Sequence, residues 1–332
     1  MIAGIIGYTG YTGTELLKLL NRHSYIDRIN LFSNSVNSKS EFPREFLLTN
    51  KKKYHFYPRS ASQINECEVL FFCTPEGYCL ENVSKYFDGK KIIIDLSPDF
   101  RIKDSILYKK WYKRDHTEPQ LLRQSVYGLS EFYKNELAKT KLISNPGCYA
   151  TIILLSLLPI ADHISNSKII IDAKSGISGA GKKLIESNLF SEVNENFKPY
   201  AISGHRHSAE ISEVLKIKKN LNLNYSFIPH LLPITRGILV TLHTNLEYSD
   251  EFFEVMNDFY IDSPFVHVLP EGFVAELKMI LNTNKALISL HSDQNNNLII
   301  CGVLDNLIKG ASGQAVQNMN LALGLDETTA LI

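Results

Sequence analysis

The apolar run Ile2-Ala3-Gly4-Ile5-Ile6 passes directly into Gly7-Tyr8-Thr9-Gly10-Tyr11-Thr12-Gly13, and a helical pattern over Glu15 to Leu20 follows at once. A buried strand, a glycine turn and a helix in that order leave few folds open. Glycines let a backbone approach a pyrophosphate, and the N–H groups of a helix start favour its charge. The spacing here is G-x-x-G-x-x-G rather than G-x-G-x-x-G, so the strand–turn–helix context carries the argument. A plain tight turn is the competing reading. Under the first reading Gly7, Thr9, Gly10, Tyr11, Thr12 and Gly13 are candidate dinucleotide contacts.

Ile29 to Phe32, Val69 to Cys73, Ile92 to Leu96 and Leu142 to Ser144 read as further strands, each ending near turn formers. Short apolar runs alternating with helical patterns predict an α/β class, a parallel sheet with helices on both faces. Ligands of such sheets bind beyond the carboxyl ends of the strands. The second half changes character. A helix from about Ala150 to Leu158 leads into strand-like segments at Lys168–Lys174, Tyr225–Ile228, Ile238–Thr244, Ala286–His291 and Leu298–Leu304. Helices near Ser208–Lys219 and Glu251–Tyr260 interrupt them, and Asn295-Asn296-Asn297 reads as a hairpin tip. A mixed-sheet α+β domain is expected, with one face open to a subunit contact. The last helix, Gly313 to Leu323, is expected to return to the first domain. A chain of 332 residues suits two domains. They are drawn at 1–147 with 306–332, and at 148–305.

Lys+Arg and Asp+Glu both number 35, so there is no basic field to hold nucleic acid or an anionic membrane. An anionic substrate must be caught by a few local cations. No apolar stretch is long enough to span a bilayer, and no leader is visible. Five cysteines, an odd count with no metal-ligand spacing, suit a reducing cytoplasm and predict no metal site.

The end of the second strand, Phe32-Ser33-Asn34-Ser35-Val36-Asn37-Ser38-Lys39, carries no acid for the ribose hydroxyls of NAD. Ser33, Ser35 and Lys39 are instead candidates for a 2′-phosphate, which favours NADP. Asn145-Pro146-Gly147-Cys148-Tyr149 precedes an apolar helix. A cysteine at a helix start has its thiolate stabilised by the dipole. Cys148 is therefore a candidate nucleophile, with a buried thiol as the alternative. Gly204-His205-Arg206-His207 opens another helix. Histidines two apart point different ways on a strand or a helix, so one imidazole is read as the acid/base partner of the thiol and the other as substrate-binding or structural. Arg101, in Asp95-Leu96-Ser97-Pro98-Asp99-Phe100-Arg101, is a candidate fork for a phosphate. Arg236 is a second fixed arginine. Ser175-Gly176-Ile177-Ser178-Gly179-Ala180-Gly181 is a second glycine turn that could approach a nicotinamide.

Together these segments resemble the N-acetyl-γ-glutamyl-phosphate reductase family of arginine biosynthesis. The match runs from Gly7 to Gly324-Leu325-Asp326-Glu327-Thr328. It includes the Asp95–Arg101 segment, Tyr127-Gly128-Leu129, Asn145–Tyr149, Ser175–Gly181 and His205-Arg206-His207. It continues through Pro229-His230-Leu231-Leu232-Pro233, Arg236-Gly237, Asp305-Asn306-Leu307-Ile308-Lys309-Gly310-Ala311 and Gly313–Asn318. The resemblance implies a Rossmann-like NADP-binding domain, a catalytic and dimerisation domain, and a homodimer or homotetramer acting on a small acyl phosphate. It implies Cys148 as nucleophile, His207 as base with His205 as second choice, and Ser178, Gly179 and Asn306 on the cofactor side. It implies Ser97, Arg101 and Asn145 as substrate residues, with Arg206 or Arg236 for the α-carboxylate. Tyr8 stands where the family has Ala, Asn34 where Arg is common, and Ser130 and Ala150 where prolines are usual. LysW-γ-aminoadipyl-phosphate reductase and a non-catalytic NADP-binding regulator are the alternatives.

Overall fold

A computed structural model describes residues 1–34, 53–182 and 186–332, apart from the side chains of Lys53 and Ser187. The chain forms two compact units, residues 1–146 with 311–332 and residues 147–310.

The first unit holds a seven-stranded sheet: β1 (Ile2–Ile6), β2 (Arg28–Ser33), β3 (Lys53–Pro58), β4 (Val69–Phe72), β5 (Ile92–Asp95), β6 (Val126–Tyr127) and β7 (Leu142–Ser144). Every pairing is parallel, in the order β3-β2-β1-β4-β5-β7-β6. A parallel sheet covered on both faces needs strands apolar on both sides, and β4, Val-Leu-Phe-Phe, is buried throughout. From β1 the chain runs outward through β2 to β3, then returns to β4 on the other side of β1. That reversal makes the β1/β4 junction the topological switch point of the sheet.

The helix Gly313–Ala322 is buried along its whole length although it carries Gln314, Gln317, Asn318 and Asn320. Buried amides need partners, and each of these has at least one, although Gln314 Oε1 has none among the described residues. Gln314 Nε2 donates to the Gly128 carbonyl at 2.8 Å and to Ser130 Oγ at 2.7 Å. Ser130 Oγ donates in turn to Asn318 Oδ1 at 2.8 Å. Asn320 Oδ1 meets His23 Nε2 at 2.8 Å. Ser130 thus makes two bonds that the family's usual proline could not. Tyr8 is fitted by full burial, its ring edge-on to Phe56 at 6.1 Å.

The second unit holds β8 (Lys168–Gly176), β9 (Lys198–Pro199), β10 (Asn224–Leu232), β11 (Ile238–Glu247), β12 (Val266–Val268), β13 (Ala286–Ser292) and β14 (Asn297–Leu304). Their order is β12-β13-β14-β11-β8-β10-β9, with β8/β10 and β12/β13 parallel and the rest antiparallel. The hairpin tip between β13 and β14 has Asn296 at φ +60°, and Asn297 already belongs to the strand. The helix Cys148–Leu157 is apolar all round and buried from Tyr149 onward, as a helix enclosed by its own unit must be. Among the described residues no helix is long and apolar enough to cross a membrane.

Candidate active site

In the first unit the glycine turn is dictated by close approach. Gly7 has φ +85°, and a Cβ there would lie 2.4 Å from the Cys73 carbonyl oxygen. A Cβ on Gly13 would meet the Gly7 oxygen and Tyr8 Cα at 2.6 Å. Gly10 caps the helix Tyr11–Arg22, whose first turn holds no acid. Thr9 and Thr12 are half-buried, and Tyr11 is exposed. The Thr12 carbonyl accepts from Ser312 Oγ at 2.8 Å. A cradle that excludes side chains at the start of an acid-free helix fits a dinucleotide pyrophosphate. Ser33 is buried at the end of β2, whereas Ser35 and Lys39 lie outside the described residues.

The loop after β5 is internally bonded. Asp99 caps the helix Tyr78–Tyr86 by accepting from Gly77 N at 2.7 Å and Leu80 N at 3.0 Å. Ser97 Oγ accepts from Asp99 N at 3.3 Å. Arg101 is buried, donating from Nε to the Asn145 carbonyl at 2.8 Å and from Nη2 to the Leu96 carbonyl at 2.9 Å. Asn145 donates to the Ala311 carbonyl at 3.0 Å and accepts from Asn318 Nδ2 at 3.1 Å. The structure therefore brings Ser97, Arg101 and Asn145 together. Ser97 and Asn145, expected to face the substrate, also make these contacts that hold the loop.

In the second unit Cys148 is half-buried at the first position of its helix, with no acid in the first turn. The dipole there favours a thiolate. The other thiols are in the opposite situation. Burial pushes Cys67 up to about 11 and raises Cys73, Cys79 and Cys301 as well.

The helix Arg206–Lys219 brings an imidazole to the thiol segment. A Cβ on Gly147 would lie 2.3 Å from His207 Nε2, so glycine at 147 makes room for that ring beside the residue preceding Cys148. One turn along the same helix, fully buried Glu210 accepts from Gly147 N at 2.8 Å. His205 caps the helix, Nδ1 accepting from His207 N at 3.1 Å. Its ring lies 4.7 Å from that of His207. The expectation that the two rings point apart is therefore corrected. His205 is extended (φ −114°, ψ 140°) while His207 is helical, and neither periodicity applies across that junction. Among the described residues no group of three His, Cys, Asp or Glu could hold a metal ion.

Burial, followed by the charge of Arg206, lowers His205 to about 4 from 6.5. The native state thus binds this proton less readily than the unfolded chain. Its contribution to stability is complete above about 6.5 and is lost as pH falls through about 4. With allowance for partial exposure this is on the order of 2 kcal/mol. His205→Asn keeps a capping acceptor and should flatten that part of the pH–stability curve, measured by urea unfolding across this range.

Tyr149 and Tyr200, with hydroxyls 3.3 Å apart, pack edge-on to His205 and complete this cluster. Asn306 ties two further segments together, donating to Ser178 Oγ at 3.0 Å and accepting from Gly237 N at 2.7 Å. Gly179 is exposed beside Ser178. Arg206 is exposed at the first position of its helix. Arg236 lies 3.6 Å from buried Asp305 and bonds Asn282. Glu210, Tyr149 and Tyr200 are the site residues that sequence reasoning did not single out. Glu210 alone had a visible signal, one helical turn after a candidate base.

Residues 2–140 match the family model of the semialdehyde dehydrogenase NAD binding domain, and residues 148–306 match that of the semialdehyde dehydrogenase dimerisation domain. A glycine cradle in one unit and a helix-start thiol beside an imidazole in the other are thus features of a semialdehyde dehydrogenase type of enzyme. Aspartate semialdehyde dehydrogenase II of Vibrio cholerae, complexed with ASA, shares the fold at TM-score 0.75 and 17% identity, over 97% of this chain and 98% of that one. The N-acetyl-gamma-glutamyl-phosphate reductase of Ruthia magnifica subsp. Calyptogena magnifica is 43% identical, over 99% of this chain and 97% of that protein. The protein of the same name from Nitrosococcus oceani is 40% identical with the same coverage. The chain belongs to the N-acetyl-γ-glutamyl-phosphate reductase family.

Proposed function

We propose that the chain reduces N-acetyl-γ-glutamyl phosphate to N-acetylglutamate 5-semialdehyde and phosphate with NADPH, through a thioester on Cys148. The observation that carries this reading is His207 Nε2 filling the space beside Gly147, one residue before a thiol that opens a helix. A thiolate paired with an imidazolium is the resting form such a pair favours. Cys148 Sγ attacks the γ-carbonyl carbon, and the carbon–oxygen bond to phosphate breaks with its electron pair going to phosphate. His207 gives that leaving group its proton. Arg101 is assigned to the phosphate, its plane fixed by two backbone carbonyls. Arg206 or Arg236 is assigned to the α-carboxylate.

The Gly7–Gly13 turn, with Ser33, is assigned to the dinucleotide; Ser178, Gly179 and Asn306 are assigned to the nicotinamide side. When bound, NADPH supplies the hydride that reduces the thioester carbonyl. The Cys148 backbone N–H at the helix start offers a donor to the oxyanion that results. Its collapse returns the electron pair to Cys148 sulfur and frees the semialdehyde. His207 is then reprotonated from solvent, so one proton is consumed per turnover.

Self-association is assigned to the second unit. Its match to a dimerisation domain supports a homodimer or homotetramer. So does an open recess of about 640 Å³ on its sheet, lined by Ile170, Ile202, Ile228 and His230. A cytoplasmic site suits five free thiols. The names of the full-length relatives favour the arginine substrate over the carrier-bound lysine one. The direct test is NADP⁺ reduction by the purified protein with N-acetylglutamate semialdehyde and phosphate, followed at the NADPH absorbance. No rate there, together with a rate on aspartate semialdehyde, would overturn the substrate assignment.

A further inference from the structure

Thr74 stands just beyond the end of β4, after Cys73, and is 8% exposed. Its Oγ1 is shielded from solvent and has no hydrogen-bond partner among the described residues. Native proteins seldom leave a buried hydroxyl in that state, because the lost hydration is not repaid. The position of this one is specific. β1 and β4 flank the switch point of the parallel sheet, where open α/β sheets take their ligands. Gly7 and Thr74 both lie just past those two strand ends. A Cβ on Gly7 would sit 3.5 Å from Thr74 Cγ2, so Thr74 borders the glycine turn itself.

We propose that Thr74 Oγ1 donates a hydrogen bond to the phosphate–ribose backbone of the bound dinucleotide, the partner that the described residues do not provide. This rests on the reading of the Gly7–Gly13 turn as the dinucleotide site. The contact falls at the part of the ligand that NADP and NAD share, so it contributes affinity without choosing between them.

The test uses Thr74→Val, which keeps the side-chain shape, with dinucleotide binding measured by calorimetry and stability by thermal unfolding of the ligand-free protein. Loss of a hydrogen bond to an anionic or polyhydroxylic ligand should raise Kd by about 10-fold, for NADP⁺ and NAD⁺ alike. The Tm of the ligand-free variant should stay level or rise, because a buried unpartnered hydroxyl has become a methyl group. Thr74→Ser should keep the affinity. An unchanged Kd in Thr74→Val overturns the inference. So does a loss confined to NADP⁺, or a fall in ligand-free Tm of several degrees, which would reveal a partner within the chain. If the unaltered protein binds neither dinucleotide, the assignment of the turn falls and takes this contact with it. If the unaltered and valine proteins bind equally well, this contact alone falls.

Discussion

Cys148→Ser should lower turnover by about 10⁴-fold or more, the scale on which enzymes lose activity when their nucleophile is replaced. The physical reason is ionisation. A helix start can hold a thiol as thiolate near neutral pH, but the same dipole, contributing at most ~2 kcal/mol, cannot ionise an alcohol. Binding should survive the change, since no part of the glycine cradle is altered, so NADP⁺ affinity is the control. Iodoacetamide should label one thiol rapidly in the unaltered protein and none rapidly in the variant, because burial holds Cys67, Cys73, Cys79 and Cys301 in their protonated forms. Intact mass after mixing with the acyl phosphate alone should show an adduct that Cys148→Ala lacks. Near-normal turnover in Cys148→Ser would remove the covalent route.

What could be read from the sequence follows from the range of the forces involved. β1, its glycine turn and its helix are set by neighbours a few residues apart, and that pattern placed them. β4, β5 and the long strands of the second unit carry continuous or alternating apolar residues and were equally visible. β3 was missed. Its Lys53-Tyr54-His55-Phe56-Tyr57-Pro58 is an edge strand with mixed polarity and a terminal proline, which blurs the alternation. β6 and β9 are two residues each, and only their partners make them strands.

The site divides in the same way. The place of Cys148 at a helix start was legible because proline and glycine precede an apolar helix. Glu210 was not, because a glutamate inside a polar helical stretch looks like a surface charge until Gly147 is folded against it. The fold contacts of Asn145 were hidden for the same reason. Its partners, Ala311 and Asn318, are distant in sequence, and nothing local shows that its amide also ties the loop to them. The approach of His205 to His207 depends on a change of backbone conformation at one residue, which side-chain spacing cannot report.

The surroundings of the two rings also give opposite expectations for which imidazole moves protons. His207→Asn should lower turnover by about 10²–10⁴-fold, the usual contribution of a positioned acid/base group. His205→Asn should cost far less. His205 is held neutral, with burial and then Arg206 bringing it down to about 4, and its Nδ1 already accepts the His207 backbone N–H. A group in that state is not an imidazolium at neutral pH and is a poor general acid, and asparagine is itself a strong helix cap. His207 lies instead against Gly147, one residue from the nucleophile, where a proton given or taken serves the reacting atoms. The two roles separate in the pH profile. Removing the acid/base group should take one limb of the profile with it, whereas exchanging one capping side chain for another should leave the shape intact and Tm near that of the unaltered protein. The decisive comparison is the pH dependence of kcat/KM for both variants beside their thermal unfolding. A greater loss and a lost limb in His205→Asn, with His207→Asn near normal, would exchange the two assignments.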